Sequence, residues 1–248
     1  MTRSDSRNVT RAPLFWLAIL AVLTALAGIA GPLIGALGTR GGWWHFSTGL
    51  TYAEWGVYAA GIALALSLIL IIVAWRHKSP ALWPAALGLA LALPMVAMAI
   101  HWQFAATRFA AINDISTDTE DPPMFWEVPN PMDYPGAATA KKQHAGYPDL
   151  APLNLTAPAP AVFQATSDLV VQRGWELVAA DPDEGRIEAI AYSTLFGFAD
   201  EVVLRITSDG DTTLVDMRSH SRVGGIDRGV NAKRIEAFLS DLRAMVAP

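Results

Sequence analysis

Three long runs without a charged residue occupy the first 104 positions of this 248-residue chain, at 14–37, 56–75 and 81–104. A bilayer core takes about 20 apolar residues in helical conformation, so each run is long enough to cross one. Backbone that enters hydrocarbon must satisfy its own hydrogen bonds, which leaves only helices and closed barrels as solutions. Three helical spans packed as a transmembrane bundle are therefore predicted. The first run follows Arg3, Arg7 and Arg11, as a secretory signal would. Its apolar core is too long for a signal and two more runs come after it, so it is read as a retained helix.

Charge divides the chain at the same place. Residues 1–104 hold six Lys+Arg and two Asp+Glu, whereas 105–248 hold twelve and twenty-one, which together give the net −5. A basic, apolar front and an acidic, polar back predict a membrane protein with one water-facing domain. The acidic back half argues against nucleic acid as a partner, because phosphate neutralisation needs a basic surface. The absence of cysteine excludes disulfides and thiol chemistry and suits an extracytoplasmic domain.

Orientation follows from the short flanks. The tail at 1–13 carries three arginines, the turn at 76–80 carries Arg76 and Lys78, and the loop at 39–55 carries one arginine and one glutamate. The positive-inside rule puts the tail and the 76–80 turn in the cytoplasm of a bacterial inner membrane, with 105–248 on the periplasmic side. Seven of the nine tryptophans, from Trp16 to Trp102, lie at or near the ends of the runs, where an interfacial belt would place them. No interior of the three runs holds an Asp, Glu, Lys or Arg, which disfavours transport. Gly28, Gly31, Gly35 and the alanine-rich third run permit close helix approach, within this bundle or against a partner's helix.

Residues 105–157 hold seven prolines between 122 and 152, which break any long helix, yet Phe125, Trp126, Tyr134 and Tyr147 are too apolar for a free linker. An ordered strap on the domain or the membrane face is expected, with Phe125 and Trp126 substantially buried against the domain or seated in the membrane interface. From 158 the pattern is regular. Val162, Phe163, Thr166, Leu169 and Val170 share a helical face that ends at Gly174, and period-two runs follow at 175–181, 185–194, 200–208 and 212–223. Ile235, Phe238, Leu239, Leu242 and Val246 give a closing helix. Helix, four antiparallel strands and helix predict a two-layer α+β domain at 158–248 with both helices on one face. Alternation turns Ile187, Ala189, Val202, Leu204, Val215 and Met217 toward the helices. Glu188, Ile190, Tyr192, Arg205, Asp216, Arg218, His220 and Arg222 fall on the other face.

Three stretches, "INDISTDTEDPP", "GRIEAIAYSTLFGFADEVVLRI" and "VDMRSHSRVGGIDRGVNAKRIEAFL", resemble the bacterial and chloroplast family called domain of unknown function 1499, over roughly 111–246. The resemblance implies no activity; membrane spans ahead of the domain are a feature of some members. In topology alone, helix, four strands and helix also looks like the helix-grip modules of envelope assembly proteins.

The densest polar stretch, "RSHSRVGGIDRGVNAKRI", admits two readings. In the first, Arg218 and Arg222 pair with Glu188 and Asp216 across the sheet, Gly224 and Gly225 make a turn, and Asp227 or Asn231 caps the last helix. In the second, Arg205, Arg218, His220, Arg222, the glycine amides and the helix start converge on an anion or a partner, although Asp227 already occupies the positive end of the helix dipole. Asp114, Asp118 and Glu120 alternate as in calcium loops but lack the glycine and the terminal glutamate of an EF-hand, so they are a weak metal candidate; Asx turns account for them equally. No zinc spacing, nucleophile elbow or cofactor motif is present, so no catalytic residue and no cofactor is assigned. The expected role is an accessory or assembly module holding another membrane or envelope protein. Binding of a lipid headgroup or other anion is the alternative, and a hydrolase the third.

The orientation is directly testable. An alkaline phosphatase fusion after Pro248 is expected to be active and one within 76–80 inactive; the opposite pattern would reverse the topology.

Overall fold

The computed structural model describes residues 5–246, with side chains from 12 onward. Arg3 and Pro248 lie outside the described residues, as do the side chains of Arg7 and Arg11. Two compact units are present, 1–104 with 194–197 and 105–193 with 198–248. The first is built from α1 (Asp5–Arg40), α2 (Phe46–Arg76) and α3 (Leu82–Arg108) up to Phe104. All three are long and apolar enough to cross a membrane. α2 starts ten residues before the expected 56, so the loop expected at 39–55 shrinks to 41–45. Its N-cap is His45, whose ring accepts from the Ser47 amide, and the helix takes in Glu54, which accepts from Tyr58 one turn on. A satisfied i,i+4 pair on an exposed face lets a charged residue continue a helix that hydropathy alone would end.

The second unit contains β1 (Asp114–Ser116), α4 (Ala137–Gly146), β2 (Leu153–Leu155), α5 (Ala159–Gln172), β3 (Glu176–Asp181), β4 (Arg186–Tyr192), β5 (Ala199–Asp209), β6 (Thr212–Ser221) and α6 (Val230–Val246). The four expected strands form the antiparallel meander β3-β4-β5-β6. β1 and β2 extend it, since both pair antiparallel with β6, at 218–220 and 213–215 respectively. The sheet thus has six strands rather than four, and the long hairpin β5–β6 is its centre. Two three-residue strands are too short for an alternating pattern to register in a sequence. They lie along the edge that β6 would otherwise leave open, the edge protection a sheet needs.

Alternation places the core as expected. Ile187, Ala189, Ala191, Val202, Leu204, Ile206, Val215 and Met217 pack against α5 and α6 through Val162, Leu169, Ile235, Phe238 and Leu242. Residues 117–135 lie over the opposite face, so the strap makes a third layer where two were expected. Phe125 is buried within it against Val128 and Val203, as anticipated. Trp126 is not buried against the domain: it is 61% exposed, on the outer side of the strap.

Side-chain size is inverted in the helical unit. Alanines 18, 21, 25, 60, 63, 85 and 92 are wholly buried, while Trp16, Leu23, Trp55, Ile62, Trp75 and Trp83 stand outward. The glycines of α1 set the distance to α2. A Cβ at Gly31 would lie 2.6 Å from the Tyr52 carbonyl oxygen and 2.9 Å from Gly56 Cα, both backbone atoms that cannot swing aside. Gly28 faces Ala60 in the same seam. Gly31→Leu overpacks this seam and should lower the thermal stability of the full chain in mild detergent, at a cost of about 1–3 kcal/mol. Gly61→Ala, where a Cβ meets nothing within 4 Å, should leave that stability unchanged.

Candidate functional site

Opposite the core, strand register arranges the polar residues in three rows. Glu188, Val203, Arg218 and Ser116 lie side by side across β4, β5, β6 and β1; Ile190, Glu201, His220 and Asp114 form the next row. Arg186, Arg205 and Asp216 form the third. Partners directly opposite or one diagonal step away are within reach of each other. Arg205 meets Asp216 at 3.0 Å, and His220 faces Glu201 at 3.5 Å.

Register also corrects the pairing expected for Arg218. Val203 separates it from Glu188 by a full strand, and Asp216 is held by Arg205. Arg218 turns instead to β1, where its Nε and Nη2 contact the two oxygens of Asp114 at 2.9 and 2.7 Å. Its remaining N–H groups donate to the carbonyls of Pro123 and Met132 at 3.2 and 2.9 Å. Phe125 and Tyr134 lie over its guanidinium. The pair is 1% exposed on each side, so it is an interior ion pair and not the surface pair that the sequence suggested.

Glu188 does the corresponding work with opposite charge. Its carboxylate, wholly buried, accepts the backbone amides of Trp126, Glu127 and Val128 at 2.9, 2.9 and 3.0 Å. A nest of three amides compensates a buried carboxylate much as a cation does. One arginine and one glutamate of the sheet therefore clamp the strap at 123, 126–128 and 132. Tyr134, at the end of this segment, has its hydroxyl pushed up to about 12, by burial first and the charge of Asp114 second.

The other candidates divide between the two faces. Arg222 contacts Glu201, not Glu188 or Asp216, through Nε and Nη2 at 3.2 and 2.7 Å. Burial alone would raise the Glu201 carboxyl, but His220 and Arg222 outweigh it and hold the group below its usual range. Arg205 also binds Asp118 and Asp121 of the strap. Gly224 takes the positive φ of +91° that the turn requires, and its carbonyl accepts from Asn113; a Cβ at Gly224 or Gly225 would meet nothing. Asp227 caps α6 by accepting the amides of Gly229 and Asn231, and burial raises its carboxyl against the pull of those bonds. Asn231 does not act as a cap. Its side chain reaches across to Ser219, Ser221 and the Asn113 carbonyl, tying α6 to the sheet on the core side. The candidate residues thus do not converge on one site: Arg205, Arg218, His220 and Arg222 lie under or beside the strap, and Asp227 and Asn231 lie on the helix side.

The alternating acids do not converge either. Both oxygens of Asp114 are on Arg218, while Asp118 accepts the amides of Glu120 and Asp121 as an Asx turn. Among the described residues no three His, Cys, Asp or Glu side chains come together as metal ligands. The fold creates one feature that no local pattern announces, a cleft of about 680 Å³ between the strap and α4, lined by Glu120, Asp133, Tyr134, Lys141, His144 and Arg218. Thr119 and His144 meet at its side, 2.9 Å apart. Gln143 closes the neighbouring edge by exchanging two hydrogen bonds with the Ser116 backbone, as a further strand would.

This sheet, with its clamped strap, belongs to a recognised group of proteins. The chain is a member of the family described as protein of unknown function (DUF1499), whose sequence model matches residues 114–242. That match begins at Asp114, the partner of Arg218, and so takes in β1 and the strap as parts of the domain. Comparison with curated proteins returns no match. Among solved structures, a crystal structure of CalU16 from Micromonospora echinospora is similar at 18% identity, with a TM-score of 0.28, over 39% of this chain and 74% of that one.

The clamp makes a quantitative prediction. Arg218→Met leaves Asp114 buried without its cation and should cost about 3–5 kcal/mol in chemical unfolding. Glu188→Ala should act more locally: amide exchange at 126–128 should accelerate strongly while the core strands stay protected. Unchanged protection of those three amides would show that Glu188 does not hold the strap.

Proposed function

We propose that this protein is a membrane-anchored accessory or assembly module that holds another membrane or envelope protein at the periplasmic face of a bacterial inner membrane. In this reading α1, α2 and α3 are the anchor, the amino terminus is cytoplasmic, and the sheet unit is periplasmic. The outward leucines, isoleucines and tryptophans of the helices, around a seam of alanine and glycine, support lipid as their surroundings.

One observation carries the non-catalytic reading. On the polar face of the sheet each strong charge closes on a partner within the domain: Arg218 on Asp114, Arg205 on three aspartates, Arg222 on Glu201, and Glu188 on three amides. A general base or nucleophile must be free to exchange a proton with substrate, and charges consumed in holding a strap are poorly suited to that. The second reading is anion binding at Arg222 beside Gly224 and Gly225. It is favoured by the part-exposed Arg222 side chain and the open space at the two glycines.

Extraction of the full chain from native membranes in mild detergent separates the two. A protein partner in fixed stoichiometry, retained by Arg222→Ala, is the expected result of quantitative mass spectrometry. A stoichiometric acidic lipid that Arg222→Ala removes, with no protein partner, would replace the accessory reading with the second.

A further inference from the structure

Residues 117–135 contain five acids and no lysine or arginine. Within this strap Phe125 and Val128 point inward and are enough to cover Val203. The largest apolar side chains between them and around them point the other way: Trp126 is 61% exposed, Met132 54% and Met124 51%. Water is a poor environment for these three groups, and tryptophan above all is a residue that interfaces use as an anchor. The backbone beneath them is held by side chains of the sheet. Arg218 grips the carbonyls of Pro123 and Met132, which brings two limbs of the strap to one guanidinium, and Glu188 grips the amides of 126–128. The Trp126 ring is also steadied by the Arg186 guanidinium, 5.5 Å from its centroid. Because the backbone that presents them is already clamped, covering these three groups orders side chains but not the chain itself, which lowers the cost of association.

We infer that the outer side of the strap is a protein-docking surface, in which Trp126, with Met124 and Met132 exposed on the same strap, enters an apolar recess on a partner rimmed by lysine and arginine. The inference rests on the accessory-module reading and gives it a surface. Charge selects the partner. Glu120, Glu127 and Asp133 are exposed on the same strap and no salt bridge engages them among the described residues. A second copy of this chain would bring the same acids face to face, and an anionic bilayer surface would repel them. A basic rim instead gains complementary contacts and faster encounter.

The test places the photo-reactive residue p-benzoylphenylalanine at Met124, at Met132 and, as a control, at Val171 on α5, which is at least as exposed. The full chain is irradiated in native membranes. Positions 124 and 132 should give one discrete adduct with another protein and Val171 none, and the attached partner peptides should be rich in lysine and arginine. Adduct yield should fall at least about tenfold in Trp126→Ala, as for an anchor residue, and again in a Glu127→Lys/Asp133→Lys variant that leaves the apolar groups in place. Both variants alter exposed side chains, and unchanged amide exchange at 126–128 confirms that the strap is still seated. Adducts of twice the chain mass, lipid adducts alone, or partner peptides without basic residues overturn the inference. A protein adduct at Val171 but not on the strap overturns it and leaves the accessory reading standing. No protein adduct at any of the three positions, together with no stoichiometric partner on extraction, overturns both.

Discussion

A guanidinium withdrawn from water must replace its hydration with acceptors, and Arg218 replaces it with four: both oxygens of Asp114 and the carbonyls of Pro123 and Met132. Much of the sheet unit is arranged around this requirement. Asp114 is available because β1 pairs with β6 beside Arg218, and the two carbonyls are available because the strap folds back over the polar face. An interior ion pair is weak evidence of net stability, since desolvation of the two charges offsets most of their attraction. Its effect is on specificity. A strap displaced by one residue would leave a buried cation short of acceptors, so the pair fixes the strap's register more firmly than it stabilises the fold.

Glu188 repeats the logic two strands away with the sign reversed, and the two clamps divide the labour. Arg218 holds carbonyls and Glu188 holds amides, so both kinds of backbone group in a proline-rich, non-helical segment find partners within the domain. This is why residues with few backbone bonds to one another can form an ordered layer. Phe125 and Val128 fill the space between the clamps, and the residues left outside, Trp126 among them, are displayed on a firm base.

The two units use opposite distributions of side-chain size. In the sheet unit large side chains such as Phe238, Leu204 and Ile235 fill the interior. In the helical unit alanine and glycine lie inside and large residues outside, so close backbone approach replaces the filling of a core. A surface of outward leucine and tryptophan over three helices is stable only where water is excluded, which is the physical basis of the proposed anchoring.

What the sequence determined by itself was everything that depends on periodicity. The three apolar helices are written in the length of their uncharged runs, and α5, α6 and the four longer strands in periods of 3.6 and 2. The two faces of the sheet follow from alternation, so Glu188, Arg205, Asp216, Arg218 and His220 could be assigned to one side without coordinates. A turn at Gly224–Gly225 and a cap at Asp227 or Asn231 were readable from residue type and spacing, and the fold chose the positive φ at Gly224 and the cap at Asp227. Tertiary structure alone decided the partners. β1 and β2 are three residues each and carry no period; they exist because β6, about a hundred residues from β1, offers an edge. Arg218 could be matched to Glu188 on paper because both share a face, but strand order puts Val203 between them and Asp114 alongside. Trp126 and Phe125 read alike in the sequence, and only the side from which the strap meets the sheet made one interior and the other exposed. Local physics sets which way a side chain points; what it points at depends on chain returning from far away, and that information is spread over the whole fold.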